Sequence, residues 1–273
     1  MGRGIAIAVA GSGYMTRLYD LDPEMLTLAS ANIEKELGRE VGKGILTLEE
    51  KQKITGRLTY TANASDCVAS LIIEAIVEKT SEKSALFNEL ASFNGTETIF
   101  ATNTSSLSVT GIAEQTGFPG RVIGVHFFNP ANRMKLVEIV RTKYISDDTL
   151  KLLQEFTRQL NKTAVVCDDK PGFIVNHVAR PFYLEAMRIA KEGISDIDSI
   201  DRLVESAGFR MGPFHLMDLI GNDINFTVSC SVYESLGRPP RLRPSALQEE
   251  LVKKGMLGQK TGRGFFEYES SKK

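Results

Sequence analysis

Short apolar runs alternate with longer amphipathic stretches along the first 168 residues of the chain. This alternation predicts β-strands separated by α-helices, the arrangement that builds a mainly parallel sheet. The run LIIEAIV, residues 71–77, is apolar enough to lie inside such a sheet. Predicted strands cover residues 57–61, 71–77, 99–101, 122–125 and 163–167, and predicted helices cover residues 22–37, 81–93 and 147–160.

The first twenty residues contain glycines that fit a dinucleotide-binding loop in only one register. If Gly11 and Gly13 opened the loop, the third glycine of G-x-G-x-x-G would be residue 16, which is Thr16. We therefore predict an Ala-rich helix from about Gly2, ended by those glycines, and then a strand whose last residue is Asp20. In that register Gly2 is the last glycine of the fingerprint, and Asp20 lies 18 residues beyond it.

Beyond residue 168 the pattern changes, and no strand-like run alternates with the helices. The segment DDKPG, residues 168–172, marks the change, because clustered Asp, Pro and Gly are typical of loops. Helices are predicted at residues 173–191, 197–206, 214–236 and 244–254. The predicted fold class is α/β: a doubly wound Rossmann-type domain at residues 1–168, N-terminally short, followed by an all-helical domain at residues 169–273.

Composition narrows the class of protein. A hydrophobic content of 42%, 25% charged residues and a formal net charge of −1 describe a globular protein and argue against a nucleic-acid surface. The scattered Cys67, Cys167 and Cys230 suggest neither a disulfide framework nor a metal site, and favour a reducing, cytoplasmic setting. No membrane span or secretory signal is predicted, and residues 271–273 are a polar end that differs from the peroxisomal S-K-L signal.

The stretch VIGVHFFNPANRMKLVE, residues 122–138, contains the pair with the clearest catalytic chemistry. A buried strand delivers His126, Asn129 and Pro130 form a turn, and a second apolar run carries Glu138. Because residues 126 and 138 are symmetric about residue 132, a hairpin-like return would bring their side chains face to face. A histidine held by a carboxylate can serve as a general base. The alternative is a core histidine beside a chance acid.

Six stretches of the chain together resemble the L-3-hydroxyacyl-CoA dehydrogenase family, of the 3-hydroxybutyryl-CoA dehydrogenase type. They occur in the family's order and extend over essentially the whole chain, so their combination is specific although no single stretch is. The stretches are LIIEAIVE (71–78), FATNTSSLS (100–108), VHFFNPANRMKLVEI (125–139), DKPGFIVN (169–176), MGPFHLMDLIG (211–221) and GQKTGRGFFEY (258–268).

The resemblance implies NAD-dependent oxidation of (S)-3-hydroxyacyl-CoA, such as 3-hydroxybutyryl-CoA, to 3-ketoacyl-CoA, or the reverse. His126 would take the proton of the 3-hydroxyl group while a hydride leaves C3 for the nicotinamide, and Glu138 would orient His126. Ser105 and Asn176 match the family's polar residues around the substrate oxygens. The residues alone leave two other roles open, Ser105 as the cap of a helix that begins there and Asn176 as a polar group on the first turn of the next helix.

For the cofactor, the resemblance assigns Asp20 to the adenine ribose, which favours NAD because a 2′-phosphate would meet a carboxylate. Arg17 lies nearby, so NADP stays the alternative. For isolated lysines such as Lys83 and Lys260, a solvated surface charge is the alternative role. The residues that match dinucleotide-lining positions of the family are Gly2, Glu78, Lys83, Asn129 and Lys260.

The resemblance also implies a CoA-binding segment and a homodimer formed through the helical domain. Residues 38–56 are predicted to form a helical hairpin that includes a capping box, TLEE at residues 47–50. In this segment Lys43, Lys51 and Lys53 could meet the phosphates of CoA. His177 and His215 stand where the family often has other residues, and we expect both to be peripheral.

The strand and the first two glycines that should precede Gly2 are absent from the sequence. In a doubly wound sheet the first strand is central and borders the dinucleotide crevice. If the chain begins at Met1, we expect weak NAD binding and poor solubility. We expect instead that the gene model is incomplete and that translation starts upstream.

Two other functions stay open at this point. Relatives of the same fold oxidise free sugar acids such as L-gulonate, which is still an enzymatic role. A non-catalytic role, as a truncated pseudoenzyme or a crystallin-like structural dimer, belongs to a different class. The presence of His126, Glu138, Ser105 and Asn176 favours the enzyme, whereas the short N-terminus favours the non-catalytic protein.

Overall fold

The structure, a computed structural model, describes residues 1–268 and divides into two units, of which the first is Met1–Lys170 and the second begins at Pro171. The division falls after the predicted residue 168 because Asp169 bonds to the first unit. Its carboxylate accepts hydrogen bonds from Ser108 Oγ at 2.8 Å and from the Thr110 amide at 2.7 Å. The predicted polar end, residues 271–273, lies outside the described residues.

The first unit has the predicted alternation of strands and helices, including the N-terminal helix. Its strands are β1 (Thr16–Tyr19), β2 (Leu58–Thr61), β3 (Leu71–Glu74), β4 (Ile99–Thr102), β5 (Val122–Phe127), β6 (Leu136–Arg141) and β7 (Thr163–Asp168). Its helices are α1 (Gly2–Gly11), α2 (Pro23–Gly42), α3 (Leu48–Thr55), α4 (Thr80–Ala91), α5 (Val109–Ala113) and α6 (Asp147–Gln159).

The strands form two sheets instead of one continuous sheet. The larger has the order β3-β4-β5-β6-β7, and all its neighbours are parallel except the antiparallel pair β5 and β6. The smaller consists of the parallel pair β1 and β2. Within residues 1–268, no strand pairs with the second edge of β1 or of β3.

Helix α1 packs against the cores of both sheets. Its Ile5 belongs to the apolar cluster that includes Ile123 and Val125 of the larger sheet. One and a half turns later, Ala10 belongs to a second cluster with Ile33 of α2. Burial of large apolar side chains contributes about 1.5–3 kcal/mol each, so α1 stabilises the contact between the sheets without strand pairing.

Local signals fix the ends of several helices. Asp22 caps α2 by accepting the Glu24 amide at 2.9 Å, with Pro23 at the first helical position. The predicted capping box of α3 is confirmed: Thr47 Oγ1 accepts the Glu50 amide at 3.1 Å, and Glu50 Oε2 accepts the Thr47 amide at 2.7 Å. The charged segment therefore folds as two helices, α2 and α3, joined by a short turn.

The second unit is built of helices α7 (Val175–Lys191), α8 (Ile197–Ser206), α9 (Pro213–Ile220), α10 (Asn222–Ser235) and α11 (Ala246–Lys253). Their core includes Met187, Phe214, Met217 and Val232. After α11 the chain is irregular, with isolated β-bridges, so the prediction of an all-helical unit holds for its core and not for its last segment.

Two predicted helices differ from those observed. The helix expected from Ser105 begins later, because Ser108 is its cap and accepts the Gly111 amide at 3.0 Å. The single helix predicted at residues 214–236 is two helices, because the chain turns at Gly221 with φ 104°, a backbone conformation that side-chain-bearing residues rarely adopt. No helix of residues 1–268 has the length and apolar character to cross a membrane.

We expect Gly124→Ala to destabilise the first unit by about 1–3 kcal/mol, because the core has no room for a methyl group there. A Cβ on Gly124 would lie 2.7 Å from Val140 Cβ and 2.9 Å from Val109 Cγ2. Urea unfolding should measure the loss. Gly117→Ala is the matched control, since nothing lies within 4 Å of that position. Equal unfolding midpoints for the two variants would contradict the expectation.

Candidate active site

His126 and Glu138 face each other across the antiparallel strands β5 and β6. They are direct register partners, and His126 Nδ1 lies 2.7 Å from Glu138 Oε2. Their side chains are only 8% and 1% exposed. The predicted hairpin-like pairing is therefore confirmed as geometry, whereas the catalytic role of the pair stays a prediction.

This pairing determines which nitrogen of His126 can act as a base. An ionised carboxylate only accepts hydrogen bonds, so Nδ1 carries a proton and Nε2 is the basic nitrogen of the neutral ring. The Phe128 ring lies against the imidazole, with 4.5 Å between centroids. With the ring held on two sides, Nε2 can accept and return a proton while Glu138 stabilises the imidazolium.

A second polar cluster lies at the carboxyl ends of β3 and β4. Lys83 of α4 is 1% exposed, and its Nζ lies 2.9 Å from both oxygens of Glu74 and 3.2 Å from Glu78 Oε2. Thr102 and Thr104 donate hydrogen bonds to Glu74 and Glu78, respectively. The alternative role of Lys83, a solvated surface charge, is wrong, because the lysine is buried between two carboxylates.

Glu78 holds the loop that carries Ser105. Its Oε1 accepts the Ser105 amide at 3.1 Å and the Ser106 hydroxyl at 3.2 Å. Burial by itself raises the pKa of Glu78, but the Thr104 hydrogen bond and the positive charge of Lys83 outweigh it and hold the pKa below its usual value. Glu78 and Lys83, both predicted as cofactor residues, thus belong to one network with the predicted catalytic Ser105.

The lowered pKa of Glu78 predicts a loss of stability in acid. A carboxyl group with a lower pKa in the folded state stabilises the fold above its unfolded-state pKa of about 4.3, and this contribution disappears as the pH falls through the folded value. Melting temperatures between neutral pH and about pH 3 should therefore fall less for Glu78→Gln than for the wild type. Parallel curves for the two proteins in this range would contradict the prediction.

Asn103, which follows β4, forms hydrogen bonds with the ends of β3 and β5 beside this cluster. Its amide donates to Glu74 O at 3.0 Å, and its Oδ1 accepts the Phe127 amide at 2.8 Å. Sequence reasoning singled out neither Glu74 nor Asn103. The available signal for Glu74 was an acid inside the apolar run at residues 71–77, nine residues before a lysine on the following helix.

The N-terminus of α1 and the end of β1 fit a dinucleotide. A Cβ on Gly2 would lie 3.9 Å from Ala75 Cβ, so this helix begins at the carboxyl end of β3. The first turn of α1 has no acidic residue and no side-chain cap, which leaves backbone amides suited to an anion. Asp20 follows β1 directly and is exposed, as a ribose-binding acid must be. Arg17 donates to the carbonyl of Asp66, beyond β2.

The remaining predicted residues are in the turn after β5 and in the second unit. Asn129 is exposed in the turn after β5. In the second unit, Asn176 occupies the first turn of α7, where it was expected. Lys260 Nζ lies 2.6 Å and 2.7 Å from the two carboxylate oxygens of Asp223, at the start of α10. Among the described residues, no group of His, Cys, Asp and Glu could hold a metal ion.

A cationic cleft of about 400 Å³ lies beside α2. Its two acids already have partners, since Glu36 Oε1 accepts from Asn132 Nδ2 at 2.8 Å and Glu40 pairs with Arg133 at 3.4 Å. Lys43 lines this cleft, whereas Lys51 and Lys53 pair with glutamates elsewhere on α2 and α3. The cations around the cleft are Arg3, Lys35, Arg39, Lys43 and Arg133.

Two family models together match nearly the whole chain. The model described as 3-hydroxyacyl-CoA dehydrogenase, NAD binding domain, matches residues 1–170. The model described as 3-hydroxyacyl-CoA dehydrogenase, C-terminal domain, matches residues 172–268. The two matches meet at the division between the two units.

Similar proteins come from several bacteria. A 3-hydroxyadipyl-CoA dehydrogenase of Escherichia coli is 42% identical over all of this chain, which spans 58% of that protein's length. A probable 3-hydroxybutyryl-CoA dehydrogenase of Deinococcus radiodurans is 37% identical, with 98% of this chain and 96% of that protein covered. The crystal structure of a 3-hydroxybutyryl-CoA dehydrogenase from Escherichia coli has a TM-score of 0.96 at 42% identity and covers 100% of this chain and 58% of that one.

Proposed function

The chain belongs to the 3-hydroxyacyl-CoA dehydrogenase family, and from this premise we propose that it interconverts (S)-3-hydroxyacyl-CoA and 3-ketoacyl-CoA with NAD. The observation that carries the proposal is the buried His126–Glu138 pair, 2.7 Å apart across β5 and β6. A carboxylate-held imidazole is the group that removal of a hydroxyl proton requires.

In the oxidation, His126 Nε2 takes the proton of the 3-hydroxyl group, and the C3–O bond becomes a carbonyl. NAD, when bound, supplies the acceptor for the hydride that leaves C3. Glu138 stabilises the imidazolium until the proton returns to solvent. In the reduction, the same imidazolium donates its proton to the forming alkoxide, so one pair serves both directions.

Polar side chains orient the substrate and the dinucleotide in this proposal. Ser105 and Asn176 donate to the oxygens of the 3-hydroxyacyl group. The dinucleotide is held at its phosphates by the first turn of α1, which begins at Gly2, and at its adenine ribose by Asp20. Glu78, Asn129 and Lys260 line it further. Lys83, buried beneath Glu78, acts by fixing the position of that carboxylate.

The cationic cleft beside α2 supports the acyl-CoA part of the proposal. CoA carries phosphates, and five cations around one cleft, with both acids already engaged, leave an excess of positive charge for such an anion. Lys43 is the residue of this cleft that the sequence pointed to. Arg39 lies one helical turn before it on α2.

We further propose a cytoplasmic homodimer formed through the second unit. Leu203, Val178 and Phe209 of this unit are 70%, 68% and 57% exposed, and a dimer interface would cover such apolar side chains. All three cysteines are free thiols, which suits a reducing compartment. Sedimentation velocity measures the dimer directly, and a monomer at micromolar concentration would rule it out.

The proposed activity predicts NADH formation from (S)-3-hydroxybutyryl-CoA and NAD, followed by absorbance. L-Gulonate is the matched comparison, because it tests the free-acid branch of the fold with the same cofactor. Turnover of the CoA ester alone supports the proposal. Turnover of L-gulonate but of no CoA ester, or of neither substrate, would refute it.

A further inference from the structure

The second unit contains a buried arginine whose charge no carboxylate balances. Arg180 of α7 is 3% exposed, and none of the ion pairs of residues 1–268 includes it. Burial lowers the pKa of Arg180 to about 10, so the guanidinium is still cationic at neutral pH. An uncompensated buried charge destabilises a fold, which makes an anion at this point favourable.

The contacts of Arg180 within the protein are all to neutral acceptors. Nη1 donates to Asn225 O at 2.9 Å and to Ser229 Oγ at 2.7 Å, and Nε donates to Asn176 O at 3.1 Å. Nη2 donates to no described residue and is not fully covered by protein. The amide Nδ2 of Asn225, whose Oδ1 lies 3.5 Å from Arg180 Nη1, is buried without a hydrogen-bond partner.

The buried cation of the first unit is arranged differently. Lys83 is equally inaccessible, but two glutamates lie within 3.2 Å of its Nζ. Arg180 has the planar, forked donor geometry that binds a carboxylate, together with an unused donor edge. No carboxylate of residues 1–268 forms an ion pair with Arg180, so a carboxylate from outside the chain would offset its charge.

The position of Arg180 relates it to the acyl group. It lies four residues after Asn176 on α7, which is about 6 Å along the helix. In a six-carbon acyl chain, three carbon–carbon bonds of roughly 1.5 Å each separate C3 from the terminal carbon. A carboxylate at that terminus would lie at a similar distance from the 3-hydroxyl group that Asn176 is proposed to bind.

We propose that Arg180 binds a carboxylate at the far end of the acyl chain, so that the preferred substrates are 3-hydroxydicarboxylyl-CoA esters of about six carbons. The proposal rests on the proposed dehydrogenase function and specifies its substrate class. Nη2 of Arg180 is the donor that faces the carboxylate. Tyr183, whose ring lies 5.0 Å from the guanidinium carbon, closes the other side.

The first test compares two esters of equal length on the wild-type protein. 3-Hydroxyadipyl-CoA and 3-hydroxyhexanoyl-CoA differ only in the terminal carboxylate. We expect kcat/KM to be roughly 10- to 100-fold higher for the adipyl ester, the range for a hydrogen-bonded charge pair. Equal values, or a preference for the hexanoyl ester, would overturn the proposal. Turnover of neither ester would refute the proposed function instead.

The second test uses Arg180→Met, with Arg188→Met as the matched control because Arg188 lies on the same helix and is exposed beside Glu185. Arg180→Met should lose the preference for the adipyl ester while kcat/KM for the hexanoyl ester changes less than about threefold. Arg188→Met should keep the wild-type ratio. An equal loss for both esters would mean that Arg180 only stabilises the packing of α7 against α10, and would overturn the proposal.

If Arg180→Met does not fold, calorimetric binding of adipyl-CoA against hexanoyl-CoA to the wild type decides the matter.

Discussion

Replacing His126 with Gln should lower kcat for a 3-hydroxyacyl-CoA ester by about 10²- to 10⁴-fold, the range that a general base contributes. Glutamine keeps a polar side chain of similar size beside Glu138 but cannot take a proton. The loss should appear in kcat more than in KM, because the side chain acts on the proton only while it is being transferred. Steady-state NADH formation measures both constants. Turnover within tenfold of the wild type would contradict the assignment of His126.

A second histidine of the chain provides the control for this experiment. His215 in the second unit pairs with Asp201 at the same 2.7 Å that separates His126 from Glu138. Its ring stacks on Phe266, with 3.8 Å between centroids. His215→Gln breaks a histidine–carboxylate pair of equal length and should leave kcat within a few-fold of the wild type. If both variants lost activity equally, the loss would report disturbed folding and not a missing base.

Lys83→Met should destabilise the first unit by about 3–5 kcal/mol, a large part of a domain's usual 5–15 kcal/mol. The substitution leaves Glu74, which is 3% exposed, without its cation in a region that water does not reach. Glu78 loses the same partner, and with it part of the support for the loop of Ser105. Denaturant unfolding followed on the first unit measures the effect.

The control for Lys83 is a pair of the same chemistry at the surface. Lys53 and Glu49 lie 2.7 Å apart on α3, with 58% and 75% of their side chains exposed. Such pairs contribute about 0–1 kcal/mol, so Lys53→Met should change the free energy of unfolding by no more than that. A loss below about 1 kcal/mol for Lys83→Met as well would show that the buried cluster does not stabilise the fold.

Local patterns predicted the elements that depend on local physics. The symmetry of residues 126 and 138 about the turn at residue 132 predicted that His126 lies opposite Glu138, as the register of β5 and β6 confirms. The capping box at Thr47 was visible for the same reason, since its two hydrogen bonds join residues three positions apart. The N-terminal helix and the strand before Asp20 followed from the glycine spacing.

Contacts between distant segments were not predictable in this way. The cap of α5 depends on Ser108, which also donates to Asp169, 61 residues later. The sequence left a solvated charge open as the alternative role of Lys83, because isolated lysines are usually exposed, and only the fold brings Glu74 beneath it. Gly221 breaks the predicted helix at residues 214–236. The irregular last segment of the same unit packs against this glycine, since a Cβ on Gly221 would lie 3.0 Å from Lys260 Nζ.

The register between β5 and β6 limits how this protein can diverge in evolution. A shift of β6 by one residue would turn Glu138 to the opposite face of the sheet and leave His126 beside Val137 or Ile139. The connection at residues 128–135 can therefore gain or lose residues only if the change in length leaves the pairing of β5 with β6 unchanged. Substitutions in the loop are tolerated more readily than a single-residue deletion that pulls on β6, even though such a deletion removes no residue of the pair.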